Sequence, residues 1–369
     1  MEISDKLSNL HTKSEYERPR NIPSYLNRIK QKSKGTVRNI NGFLSRFDTY
    51  LVLTYKKPNE IVLKEILALD EESQRRAIFD VLQDYVNYLS EKMNHLSANT
   101  ISAGYIRASV YGITGYLRFF GFRISRDDVK DSVNCPKIIE EERVPLLREQ
   151  LQSIMNNTIG LRRTMYFVMT SSALRIAEVL QLRKRDFILD EYDRIVIKVS
   201  AKIAKMKKPR LTMLTEETAR LLRPELDKID DDVFVFNQDN RTVYYKIRNE
   251  EQIFHRLRKK LGFTDRYESG IHHVTLTDSL RSWCVTKINR IDFGFGHALA
   301  GHESYMKRYD RMTIKEKVEM YIRAEKTLQV NSYLDEEKTE KMQEVYMKRI
   351  SDLEDEMNSV KELMKARKP

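Results

Sequence analysis

Residues 171–182 read SSALRIAEVLQL, closing a helical pattern that runs over 159–182. The stretch places Arg175 at a turn entering a helix, with Glu178 one turn later. On a solvated surface such an i,i+3 pair is ordinary and contributes about 0.2–0.5 kcal/mol. Facing a cleft, the same residues become an arginine oriented by a carboxylate. A guanidinium suits that task because its fork can hold two phosphate oxygens at once. The pair alone does not separate the two readings, so the surrounding chain has to.

Downstream the periodicity changes from helical to extended. Residues 194–199 (RIVIKV) and 210–214 (RLTML) read as two strands, and 232–236 (DVFVF) as a third. Thr215 follows the second strand and can cap a helix beginning at Glu216 and Glu217. A helical pattern precedes this region at 147–156, and the chain from 237 to about 330 is mainly helical. The expected fold is mainly α with a small antiparallel β-sheet.

Upstream, Val37, Ile40, Leu44, Phe47 and Leu51 mark one face of an amphipathic helix, with Thr36 as its expected N-cap. Ile78, Leu82, Tyr85 and Leu89 mark a second. Ile106, Val110, Ile113 and Leu117 mark a third that starts near Asn99 and ends at Gly121. Residues 35–131 therefore read as a helical domain of about four helices. Residues 1–34 read as a basic arm, since Pro19 and Pro23 discourage a long helix. Residues 132–145 read as a linker and 146–330 as the second domain. In the tail, 335–369, Tyr346, Ile350, Leu353, Met357, Val360 and Met364 alternate steps of four and three. That spacing fits a short coiled coil or a single helix docked on the body.

Composition bounds the class. The chain has 369 residues, 41% of them hydrophobic and 33% charged, and no apolar run approaches the roughly 20 residues of a spanning helix. A cytoplasmic protein is expected, with Cys135 and Cys284 as free thiols. The net charge of +12 is concentrated: Lys198, Lys202, Lys205, Lys207, Lys208 and Arg210 form a run without an acid, and Arg183, Lys184 and Arg185 form another. Clusters of this kind favour a polyanionic partner, because lysine and arginine that neutralise phosphates release condensed counterions. Charge alone does not separate DNA from RNA.

The decisive pattern is an ordered set: Arg175, the hairpin lysine Lys205, then TLTDSLRSW over 275–283, then LAGHESYMKRY over 299–309. Arginine, lysine, second arginine, Gly-His and tyrosine in this order resemble the catalytic domain of the tyrosine recombinase, or phage integrase, family. The resemblance covers about residues 147–325, and the helical segment resembles that family's SAM-like core-binding domain. It implies catalytic roles for Arg175, Lys205, Arg281, His302 and the nucleophile Tyr309, with Glu178 as acidic helper. It also implies a 3′-phosphotyrosyl intermediate, with Lys205 protonating the departing 5′ oxygen. Lys202, Lys207, Lys208, Arg210, Arg183 and Lys184 are the expected DNA contacts. The implied partner is double-stranded DNA held in a nucleoid-associated homo-oligomer. No metal or other cofactor is expected, because the sequence has no Gly-rich phosphate loop or zinc-like Cys/His spacing, and His297 and His302 at i,i+5 make a poor metal pair.

Two departures from the family pattern stand out. Asp278 occupies the place where the family usually has histidine, three residues before the second arginine. A carboxylate there could accept a proton or orient Arg281, but it would repel phosphate. His272 and His273 are the nearby imidazoles that could substitute. The interval from His302 to Tyr309 is also short, which makes Tyr305 a rival nucleophile. Tyr321 and Tyr333 read as packing residues. A catalytically decayed DNA-binding protein and a type IB topoisomerase remain alternatives on the same residues.

Overall fold

A computed structural model describes residues 19–91, 101–138, 140–302, 311–331 and Lys348. The chain divides into two compact units, Met1–Glu141 and Glu142–Pro369, and the division falls inside the expected linker.

The first unit is helical: α1 (Ile22–Arg28), α2 (Lys34–Tyr55), α3 (Asn59–Leu67), α4 (Glu71–Glu91), α5 (Ala103–Phe120) and α6 (Arg126–Ser132). The expected stripes are its core, with Ile40, Leu44, Phe47 and Leu51 of α2 buried together with Ile78, Leu82, Tyr85 and Leu89 of α4. The cap of α2 is Ser33 rather than Thr36. The Ser33 hydroxyl accepts the Thr36 amide at 3.1 Å, so the helix begins one turn earlier than its apolar periodicity does. Gly121, at φ 136°, ends α5 as expected.

The arm reading extends too far along the chain. Pro23 lies in the first turn of α1, where a missing N–H costs nothing, and Tyr25 packs against the rings of Tyr116 and Phe119. Residues 1–18 lie outside the described residues. So does the tail, 335–369, apart from Lys348.

The second unit contains α7 (Arg148–Asn156), α8 (Gly160–Ser172), α9 (Ile176–Val179), β1 (Phe187–Ile188), β2 (Val196–Val199), β3 (Arg210–Met213), α10 (Glu216–Leu226), α11 (Val243–Lys260), α12 (Ser279–Asn289), α13 (Phe293–Leu299) and α14 (Ile314–Leu328). The sheet is antiparallel in the order β1-β2-β3, with Phe187 opposite Ile197 and Val199 opposite Arg210. Its third strand is thus 187–188 and not 232–236. The latter makes one isolated bridge, Arg183 to Phe234, alongside backbone bonds from Lys184 to Val233 and from Val235 to Leu182. Val235 and Phe236 are buried there without a strand being formed.

The long helix expected over 159–182 is broken. Ala173 is fully buried at φ 55°, a left-handed conformation that costs a non-glycine residue roughly 1–2 kcal/mol. The break turns the chain so that α9 starts immediately after Arg175. Tyr321 of α14 packs in the core and donates its hydroxyl to the Ser171 carbonyl at 2.7 Å, the packing role expected of it. Among the described residues no helix is long and apolar enough to cross a membrane.

Helices α12 and α13 approach closely at Gly296, where an added Cβ would lie 2.8 Å from the Val285 carbonyl oxygen. Gly296→Ala is therefore expected to cost about 1–3 kcal/mol through forced separation of the two helices. Urea denaturation against the unsubstituted chain measures it, and an unchanged midpoint would show that the helices have room.

Candidate active site

The break at Ala173 presents Arg175 and Glu178 to each other. The Arg175 amide donates to Glu178 Oε2 at 2.9 Å and its guanidinium Nη1 to Oε1 at 3.2 Å. Glu178 is 1% exposed, so it needs more than one cationic partner. The second is Arg210 at the start of β3, whose Nη2 and Nη1 reach Glu178 at 2.6 and 3.3 Å. Arg210 also donates Nε to the Leu299 carbonyl at 2.8 Å. Burial pushes the Glu178 carboxyl up, but the hydrogen bonds and charge of Arg210, with those of Arg175, outweigh it and hold the group below the usual carboxylate range.

This corrects one expectation. Arg210 was expected to contact DNA, yet its side chain is 4% exposed and its donors are spent inside the protein. The other expected contacts divide. Lys202, Lys207 and Lys208 are exposed on the β2–β3 connection. Arg183 donates to the Asp232 carbonyl and lies over the Phe234 ring, while Lys184 donates to the Ile229 carbonyl. Those two act first in holding 229–234 in place.

Arg281, on the first turn of α12, reaches the same place from the other side. Its Nη2 donates to the Ala300 carbonyl at 2.7 Å, and Arg175 Nη1 lies 3.5 Å from that same oxygen. The segment carrying Ala300 turns at Gly301, where φ is 77° and an added Cβ would meet the Arg210 guanidinium at 3.1 Å. Only glycine fits both the conformation and the approach. Just beyond it, His302 Nε2 lies 3.3 Å from Arg281 Nη2, and His302 Nδ1 lies 2.7 Å from His297 Nδ1.

Two guanidinium groups and an imidazole thus converge around Ala300. The crowding is visible in the acid–base balance. Burial, reinforced by Arg175, pushes the Arg281 guanidinium down to about 10. Burial, then the charge of Arg281, pushes the His302 imidazole down to about 4. The geometry suits a bound anion, which would relieve the repulsion and accept the arginine donors.

The remaining expected residues are placed as follows. Lys205 is exposed on the hairpin, with its amide 3.5 Å from Glu178 Oε1. Asp278 is exposed at the N-terminus of α12 and makes no side-chain cap there. His272 bonds the Thr264 carbonyl at 3.2 Å and the His273 ring packs at a tilt against Tyr267, with centroids 4.3 Å apart, so both are engaged elsewhere. Tyr305 and Tyr309 lie outside the described residues. Among the described residues no His, Cys, Asp and Glu cluster could hold a metal ion.

Sequence reasoning missed three features. The Ala300 carbonyl could not be seen because every residue has one. His297 was weighed only as a metal ligand. The third is a stripe on α11 and the residues before it, in which Arg241, Tyr245, Arg248, Gln252, Arg256 and Lys259 are all exposed. Its spacing of three and four was legible, but it is a polar periodicity and not an apolar one.

Two expectations follow. Arg210→Ala leaves Glu178 buried without its main partner, which should cost about 3–5 kcal/mol; a chemical denaturation loss under 1 kcal/mol would contradict the pairing. The depressed His302 value means that the folded chain holds this imidazole neutral between about pH 4 and the ordinary value, while the unfolded chain charges it. That contribution destabilises the fold progressively as pH falls through this window. NMR titration of the DNA-free chain should give a His302 midpoint near 4, and a midpoint at the ordinary imidazole value would contradict the crowded pocket.

No curated protein matches this chain. Among solved structures it is similar to XerA recombinase at 19% identity, covering 82% of this chain and 97% of that one, with a TM-score of 0.35. The integrase from mycobacterium phage Brujita is similar at 14% identity, with 84% and 93% covered and a TM-score of 0.40. The Tn1549 transposon integrase, in complex with transposon right end DNA, is similar at 14% identity, with 82% and 98% covered and a TM-score of 0.48. None of these likenesses assigns a role to a residue. Residues 145–307 match the sequence profile of the Phage integrase family, a span that includes Arg175, Lys205, Arg281 and His302 and stops just before Tyr309. Over residues 145–307, a little under half of its length, this chain is therefore similar to the phage integrase family.

Proposed function

We propose that the chain is a site-specific recombinase that breaks and rejoins double-stranded DNA at the pocket around Ala300. The observation that carries the reading is the convergence of Arg175 and Arg281 on one carbonyl oxygen, at 3.5 and 2.7 Å, beside His302. A scissile phosphate entering there exchanges a weak acceptor for a charged one, and both guanidinium groups turn to it. Tyr309 Oη attacks phosphorus and forms a 3′-phosphotyrosyl bond. The bond from phosphorus to the 5′ oxygen breaks, and Lys205 supplies the proton that the departing oxygen takes. A 5′ hydroxyl from another strand reverses the step, so the energy of the broken bond is kept in the covalent link. Strand exchange requires more than one active site, and the chain acts as a homo-oligomer assembled on DNA.

The exposed Lys202, Lys207 and Lys208 on the hairpin and the basic stripe of α11 supply the phosphate contacts that hold the duplex. Asp278 orients Arg281, whose protonated form its charge favours. The same residue is the observation behind a second reading, a DNA-binding protein whose cutting activity has decayed, because a carboxylate near the phosphate opposes its binding.

A nicked suicide duplex, whose short cleaved strand diffuses away, distinguishes these readings by trapping covalent adduct. The unsubstituted chain should give a DNA-linked band on its own attachment sequence, Tyr309→Phe none, and Tyr305→Phe a normal one. Asp278→His should cleave at least as well as the unsubstituted chain. No adduct from the unsubstituted chain would favour the decayed reading, and an adduct surviving in Tyr309→Phe would move the nucleophile. Plasmid relaxation without site dependence would favour a topoisomerase.

A further inference from the structure

His297 is a side chain for which the proposed reaction has no use, and it touches the reacting group. It sits in α13, its ring centroid is 4.9 Å from that of His302, and the two Nδ1 atoms are 2.7 Å apart. The His302 amide also donates to the His297 carbonyl at 3.0 Å, so the two residues are joined through both backbone and side chain. The proton positions follow from the chemistry of the third partner. A guanidinium has donors and no acceptor, so the 3.3 Å contact between Arg281 Nη2 and His302 Nε2 requires an unprotonated Nε2. A neutral His302 then carries its proton on Nδ1. That proton is donated to His297 Nδ1, and His297 holds its own proton on Nε2.

We infer that His297 is a positioning residue that locks His302 in the Nδ1–H tautomer, leaving Nε2 as a proton acceptor aimed into the arginine pocket. The inference rests on the recombinase reading for its chemical consequence but not for its geometry. Which ring nitrogen of a histidine carries the proton is set by the bond the other nitrogen makes, and here that bond is to a second imidazole. The consequence concerns the proton of the attacking hydroxyl. The usual histidine three residues before Arg281 is replaced by Asp278, and His272 and His273 are engaged elsewhere. When phosphate draws Arg281 away, the freed Nε2 lone pair takes the hydroxyl proton as the oxygen–phosphorus bond forms. His302 becomes an imidazolium whose Nδ1–H remains bonded to His297, while the departing 5′ oxygen takes its proton from Lys205. The negative phosphate offsets the positive field of Arg281, Arg175 and Arg210 that disfavours this imidazolium.

The test uses the full chain labelled with ¹⁵N-histidine and free of DNA, with the His302 signals assigned by their loss in His302→Gln. The unsubstituted chain should show His302 protonated at Nδ1 and bare at Nε2. His297→Leu removes the acceptor, so the His302 proton should redistribute to Nε2, and suicide-substrate cleavage should slow by about tenfold or more, as expected for loss of one oriented hydrogen bond. His297→Asn places a carbonyl oxygen near the lost Nδ1 and should restore both the tautomer and most of the cleavage rate. An Nε2–H tautomer in the unsubstituted chain overturns the assignment, as does a His297→Leu chain with unchanged tautomer and rate. If the tautomer is as stated but no DNA adduct forms with the unsubstituted chain, the recombinase reading and the proton-acceptor role fall together while the locking by His297 stands. A general folding defect in His297→Leu would appear as loss of dispersion across the whole spectrum, and the Asn variant then decides the matter.

Discussion

A single buried carboxylate organises the second unit. Glu178 accepts from the Arg175 amide, from the Arg175 guanidinium and from two nitrogens of Arg210, while the Lys205 amide lies at the edge of reach. The partners come from three parts of the chain: the restart of a helix after Ala173, the first residue of β3, and the hairpin between β2 and β3. Arg210 extends the connection to a fourth through the Leu299 carbonyl. Desolvating a carboxylate and a guanidinium costs several kcal/mol per ion, which good geometry must repay. The pair thus contributes less to net stability than to fixing where Arg175 points.

The charge balance of the pocket follows from that constraint. Glu178 pairs with Arg210 and Arg175 together, so the positive charge that Arg175 and Arg281 bring to the Ala300 carbonyl is in excess. Burial is what chiefly lowers Arg281 and His302, reinforced by the charge of Arg175 on the first and of Arg281 on the second. The pocket carries an excess of positive charge, which an anion relieves. Gly301 closes the arrangement, since a side chain there would collide with the guanidinium of Arg210 that holds Glu178.

The sequence carried much of this and missed the rest for identifiable reasons. The helical stripes of α2, α4 and α5 were legible because a core face repeats every three to four residues over several turns. The two-residue strand at Phe187–Ile188 is too short to show alternation, and 232–236 is a short apolar run that forms no strand. Arg175, Arg281 and His302 could be picked out because motif spacing survives in one dimension. Arg210 was misassigned because exposure of an arginine depends on what the fold brings to it, here a carboxylate 32 positions away. His297 was read only as a poor metal partner of His302 because a five-residue interval spans the end of α13, where the chain leaves helical geometry and brings two imidazoles together.

The central claim is that the arginine pocket meets the charge of a scissile phosphate, and replacing that phosphate with a neutral methylphosphonate probes it directly. Cleavage by Arg281→Ala would be compared on ordinary DNA and on DNA neutral at that one position. With less charge to stabilise, the neutral substrate should recover at least about tenfold of the loss seen on the ordinary diester. Equal cleavage of ordinary DNA by Arg281→Ala and the unsubstituted chain, or an equal deficit on both substrates, would contradict the account.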